Sequence, residues 1–192
     1  MTLAATTIRR TRAAAGLTQR ALALAASIPQ PVIATIEQGR RDPSSALLER
    51  LVRAAGHTLV PVPGVTDVPA DFVDAIRDHV LASDDGRAFR TFLSLNDALV
   101  RYEPGFLVAV TLADPGTCGA AHYDALVAGL VEHVLDRRAL PTPLWVNAPR
   151  RFLDHEWFVD DTPYARAHDR TDSPPAFARR GVLIAPTELD AA

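Results

Sequence analysis

The sequence predicts a mainly α chain: an N-terminal bundle of four to five helices, then a helical or α+β C-terminal domain. Three observations predict it. Apolar residues recur at three- and four-residue spacing through most of the chain. In the first third, glycines and prolines fall between those segments, where they stop or start helices. The 192 residues are 48% hydrophobic, enough for one large core or two small ones.

Taken in order, Thr7–Ala15 reads as a first helix closed by Gly16. Thr18 is a good N-cap for a second helix, Gln19–Ala26, whose inner face carries Leu22 and Ala26. Ser27-Ile28-Pro29 breaks the chain. Pro31 then falls in the first turn of a third helix, where its missing N–H costs nothing. That helix runs to about Gln38, ends at Gly39, and buries Ile33 and Ile36 beside Val32. Pro43 and Ser44-Ser45 open a fourth helix, Ala46–Ala55, with Leu47, Leu48, Leu51 and Val52 inward and Gly56 at its end. Leu59 to Gly64, rich in Val and Pro, reads as an extended exit. The domain boundaries are therefore set at 1–60, a linker at 61–70, and 71–192.

The second part is less regular. Helical spacing covers Asp71–Ala82 and Arg87–Val100, with a turn at Asp84-Asp85-Gly86 between them. Phe106–Leu112 is an apolar run that fits a buried helix or a strand equally. Tyr123–Leu135 is the clearest helix, with Tyr123, Leu126, Val127, Leu130, Val131, Val134 and Leu135 on one stripe. That stripe offers either a core or a surface for dimerisation. From Trp145 to Leu189, prolines and Gly181 imply short helices and turns.

Charge divides the chain. All 20 basic residues are arginine. Residues 1–60 hold eight arginines against Glu37, Asp42 and Glu49, while the whole chain is −3. A basic head on an acidic body suits a module that meets a polyanion, joined to one that does not. The single cysteine, Cys118, excludes an internal disulfide and any multi-cysteine zinc site, and reads as a buried thiol. No apolar stretch reaches membrane-spanning length and no signal-peptide core opens the chain, so a cytoplasmic location is expected, with no membrane partner.

The segment carrying most information opens with Leu17-Thr18-Gln19. It continues through Ile33-Ala34-Thr35-Ile36-Glu37-Gln38-Gly39 and leaves by Arg41-Asp42-Pro43-Ser44. Over residues 7–57 it resembles the Cro-repressor/Xre helix-turn-helix family. The resemblance implies a sequence-specific transcriptional regulator of double-stranded DNA, its third helix laid in the major groove. Gln30, Pro31, Ala34 and Thr35 then face outward. Gln30 suits a bidentate bond to a base edge, adenine above all, and the other three suit thymine methyls or backbone. Gln19, Gln38, Arg40 and Arg41 are placed to meet phosphates. The resemblance also implies a structural ion pair between Arg12 and Glu37. Pro29 departs from the family pattern, which carries a Ser or Thr cap there.

In the second part, Asp154, His155, Glu156, Asp160 and Asp161 could hold a metal, but the run reads better as a solvated acidic face. His155-Glu156 lacks a second histidine four residues on, and no phosphate loop or nucleophile elbow exists. No catalytic residue, metal or cofactor is expected. The tail from Arg151-Phe152-Leu153-Asp154-His155-Glu156-Trp157-Phe158 to Ser173-Pro174-Pro175-Ala176-Phe177-Ala178-Arg179-Arg180-Gly181 resembles antitoxins paired with AbiEii-type nucleotidyltransferase toxins. That implies an autoregulating repressor, expected as a homodimer with a cognate toxin. The alternatives are a stand-alone regulator whose C-terminal domain senses a ligand or dimerises, and an enzyme fused to a DNA-binding module.

Overall fold

A computed structural model describes residues 2–60 and 68–190. The chain is mainly helical and forms two compact units, Met1–Val62 and Pro63–Ala192. The expected exit at 61–64, and the linker up to residue 67, lie outside the described residues.

The N-terminal unit contains four helices: α1 (Leu3–Ala14), α2 (Gln19–Ala25), α3 (Gln30–Glu37) and α4 (Ser45–Ala54). Three are opened by hydroxyl caps. The side chains of Thr2, Thr18 and Ser44 accept from the backbone N–H of Ala5, Ala21 and Leu47. The first cap explains why α1 begins four residues before the expected Thr7. The added turn buries Ala4 and Ala5 beside Ile8. Ser27, in the left-handed region at φ 54°, turns the chain between α2 and α3. The core is Ile8, Leu22, Ala23, Ala26, Ile33, Ile36, Leu51 and Ala55. It contains no aromatic ring, since every Phe, Tyr and Trp of the sequence lies beyond residue 62.

The C-terminal unit is built around α8 (Ala121–Arg137), buried at every position from Tyr123 to Val131. Helices α5 (Pro69–Leu81) and α6 (Asp85–Arg101) form a hairpin against it. Their Val73, Ile76, Phe92, Leu95 and Leu99 enter its core. Asp84 caps α6, so Asp85 and Gly86, expected in a turn, are its first residues. The ambiguous apolar run is helical, as α7 (Pro104–Thr111). The tail contributes 3-10 turns at Leu144–Asn147 and Pro149–Arg151, then β1 (Trp157–Phe158), α9 (Pro163–Asp172), α10 (Pro175–Ala178) and β2 (Val182–Leu183). The two strands pair in parallel, Trp157 with Val182 and Phe158 with Leu183. α9 packs on β1.

Of the two uses open to the Tyr123–Leu135 stripe, the structure shows the core. Every residue of the Tyr123–Leu135 stripe is buried within its own unit, so the stripe is not available as a dimer surface. The opposite side of α8 is closed as well, because Gly129 lets Phe177 of α10 approach. A Cβ on Gly129 would lie 2.7 Å from the Phe177 ring. Cys118 is buried beside Asp124, and burial pushes its thiol well above the ordinary range, so it stays protonated. Asp154, His155, Glu156, Asp160 and Asp161 are exposed, and among the described residues no group of acidic, His or Cys side chains is arranged to hold a metal. No helix among them is long and apolar enough to cross a membrane.

Candidate nucleic-acid interface

The sequence placed eight candidate contacts on α2, α3 and the segment after α3. Gln30 and Pro31 are exposed at the start of α3, and Gln38, Arg40 and Arg41 are exposed beyond its end. Ala34 and Thr35 are half-buried. The Thr35 hydroxyl donates to the Val32 carbonyl within its own helix, at 2.9 Å. Gln19 is half-buried at the start of α2. The side chains of Arg40 and Arg41 make no hydrogen bond or ion pair among the described residues, so both guanidinium groups remain available to an anion. Arg20 is also exposed, beside Gln19. The sequence pattern does not single it out, although its neighbour Gln19 is a candidate phosphate contact.

Pro29 precedes α3 in an extended conformation and makes no side-chain cap bond. The loss is partly offset by Pro31, which removes one of the N–H groups that a cap would satisfy.

A chain of four side chains fixes the exposed Gln30. Glu37 is buried to 5% side-chain exposure and receives Arg12 through two donors, Nε to Oε1 at 2.6 Å and Nη2 to Oε2 at 3.0 Å. Arg12 also donates from Nη1 to the Leu17 carbonyl at 2.8 Å, tying α1 to the turn before α2. Glu37 Oε2 accepts from Gln19 Nε2 at 2.8 Å, and Gln19 Oε1 accepts from Gln30 Nε2 at 2.9 Å. The direction of this chain is dictated by chemistry. A carboxylate only accepts, so the Gln19 amide must turn its nitrogen to Glu37 and its oxygen to Gln30. Gln30 is left with its own oxygen and one N–H for a ligand. An acceptor beside a donor matches the N6–H and N7 edge of adenine in the major groove. Gln19 retains one N–H of its own.

This arrangement was not readable from spacing, because the ion pair and the two amides come from three helices. The pairing of Arg12 with Glu37 came only through the family resemblance.

Residues 3–62 match a family model described as a helix-turn-helix domain, just under a third of the chain. No curated protein and no solved structure matches the chain. With α2 and α3 in place and Gln30 presented at the start of α3, the match supports reading the chain as a DNA-binding regulator of the helix-turn-helix class.

Proposed function

We propose that the chain is a sequence-specific repressor that reads double-stranded operator DNA with α3 and acts as a homodimer. The observation that carries the reading is Gln30, exposed at the start of α3 with its amide oriented through Gln19, Glu37 and Arg12. Gln30 is the base reader. Pro31, Ala34 and Thr35 supply apolar contact, while Gln19, Gln38, Arg40 and Arg41 meet phosphates. A single strong base reader per half-site favours a dimer, since a second copy reads the next half-site about one helical turn away. The resemblance of the tail favours an antitoxin-like autoregulator with a cognate toxin, and the chain is proposed as a cytoplasmic non-enzyme without a cofactor. A ligand-sensing C-terminal unit is the second reading, favoured by a cavity of about 300 Å³ in that unit lined in part by Phe89, Trp157 and Val159.

Gln30→Ala is expected to remove specific operator binding while leaving binding to random DNA nearly unchanged. One bidentate base contact is worth roughly 1–3 kcal/mol. Competition titrations against operator and scrambled duplex check this, and an unchanged ratio of the two affinities removes Gln30 from the readout.

Arg40→Ala and Arg41→Ala are expected to weaken binding to all sequences alike. Each lost phosphate contact lowers the slope of log affinity against log salt by about one. If both variants keep the wild-type slope, these arginines do not touch DNA. Sedimentation of the full chain with and without operator decides the dimer.

A further inference from the structure

Between the C-terminal parts of α6 and α8 lies a cavity of about 270 Å³ whose lining includes Asn96, His133, Val134, Arg137, Arg138 and Leu189. Its size is close to the lower end for small-molecule sites. Three basic side chains border it and no carboxylate does.

Part of the lining is apolar and fixed, because Val134 and Leu189 belong to the core of the unit. Asn96 is the buried polar group among them, only 3% exposed. It spends one N–H on the Leu189 carbonyl at 3.0 Å, and its oxygen accepts from no donor among the described residues. That oxygen is not sealed off by protein, so it opens on the cavity. A nearly buried amide oxygen without a donor is unfavourable unless the contents of the cavity supply one.

The charges are equally one-sided. Arg138 donates to the Val100 and Tyr102 carbonyls and so closes the end of α6. Arg137 has no such use: it is exposed, with no hydrogen bond or ion pair among the described residues. The His133 ring is held against Phe177, 5.8 Å between centroids. Burial, and then the charge of Arg137, keep its imidazole below the ordinary range against the opposing pull of Asp136. His133 is therefore neutral at pH 7 and offers one donor and one acceptor. Two guanidinium groups without a carboxylate partner, beside an apolar wall, favour an anion that accepts charge-assisted bonds.

We propose that this cavity binds a small carboxylate on a short apolar body that also carries a hydroxyl. The carboxylate meets Arg137 and Arg138, the body lies on Val134 and Leu189, and the hydroxyl donates to the Asn96 oxygen. The binding does not depend on the DNA-reading role of the N-terminal unit.

Calorimetric titration of the full chain with 3-hydroxybenzoate and with 4-hydroxybenzoate tests this. The matching hydroxybenzamides remove the charge, and benzoate removes the hydroxyl. At least one hydroxybenzoate is expected to bind saturably with Kd at or below about 1 mM. Its amide should bind at least about tenfold more weakly, and benzoate several-fold more weakly. Arg137→Glu reverses a charge at the exposed rim and is expected to weaken the hydroxybenzoate by at least about tenfold. Val100 also lines the cavity and is 43% exposed, so Val100→Trp fills the space from its open side. That variant is expected to lose saturable binding. The imidazole proton resonances of His133 are expected to shift as the site fills. Circular dichroism melts of both variants verify that they are folded. The proposal is overturned if neither hydroxybenzoate saturates, if the amide or benzoate binds as tightly, or if folded Arg137→Glu and Val100→Trp bind like the parent chain.

Discussion

Glu37→Ala is expected to destabilise the N-terminal unit strongly and lower its melting temperature while leaving the C-terminal unit intact. The carboxylate is nearly excluded from water and receives three donors, two from Arg12 and one from Gln19. Removing it leaves the Arg12 guanidinium, itself only 18% exposed, without its counter-charge, and leaves a Gln19 N–H without an acceptor. Breaking one side of a buried ion pair costs about 3–5 kcal/mol, and the residual exposure of Arg12 puts this case near the lower end. A unit of some 60 residues is stable by roughly 3–9 kcal/mol in total, so the loss is about a third of the whole or more. The molecule supplies its own way of separating the two units. Both tryptophans lie in the C-terminal unit and the N-terminal core has no aromatic residue. The variant should therefore lose far-UV helical signal and operator binding at a lower temperature than wild type, with tryptophan fluorescence unchanged through that transition. A wild-type melt by circular dichroism would mean that the pair contributes nothing to stability, leaving Glu37 only the task of orienting Gln19.

The helices of the N-terminal unit were legible because their ends are decided locally. Thr18, Ser44 and Gly39 act within one turn of the chain, and they set α2, α3 and α4 to within a residue or two. The start of α1 was missed because its signal is only Thr2 and two small residues, Ala4 and Ala5, whose burial depends on the neighbouring helices. The exposed face of α3 followed from its period, but the orientation of Gln30 required three helices to meet.

In the C-terminal unit, the same reasoning found α8 but left open what covers it. A stripe at 3.6-residue period suggested one apolar face. The opposite face carries Ala125, Ala128 and Gly129, whose small size admits neighbours on that side too. Arginine pairs were misleading in another way. Arg150-Arg151 and Arg179-Arg180 look like surface charge, yet the second member of each is fully buried. Arg180 lies against the Phe152 ring, pairs with Glu132 and donates to the Val146 carbonyl at 2.9 Å. No local pattern distinguishes such an arginine from a solvated one, because Phe152, Val146 and Glu132 are 28, 34 and 48 residues away in the chain.

Arg151→Met is expected to have the largest effect in the C-terminal unit, a loss of about 3–5 kcal/mol. The guanidinium is wholly buried and ties three segments together. Nη2 donates to Asp114 Oδ1 and to the Gly116 carbonyl, both at 2.7 Å. Nη1 reaches the Asp124 carbonyl and Oδ1 at 3.3 and 3.4 Å. The group also lies 4.9 Å from the centre of the Trp145 ring. Without it, Asp124 is a buried carboxylate on the central helix, held by uncharged donors, the Thr117 hydroxyl, the Cys118 N–H and the Cys118 thiol. Asp114 is less affected because Arg150 also pairs with it. Methionine fills most of the vacated volume, so the loss reflects unpaired charge and not a void. That attribution makes a second, sharper expectation. If the cost is the stranded carboxylate, Arg151→Met with Asp124→Asn should be more stable than the sum of the two single changes, by at least about 1 kcal/mol. If the cost is lost packing, the two changes should add. Urea denaturation followed by tryptophan fluorescence reads this unit alone, and Trp145 sits directly on the altered site. Arg151→Lys keeps the charge but has no fork to span Asp114 and Asp124, and should fall between wild type and methionine. A methionine variant within about 1 kcal/mol of wild type would show that the buried guanidinium costs nearly as much to desolvate as its partners return.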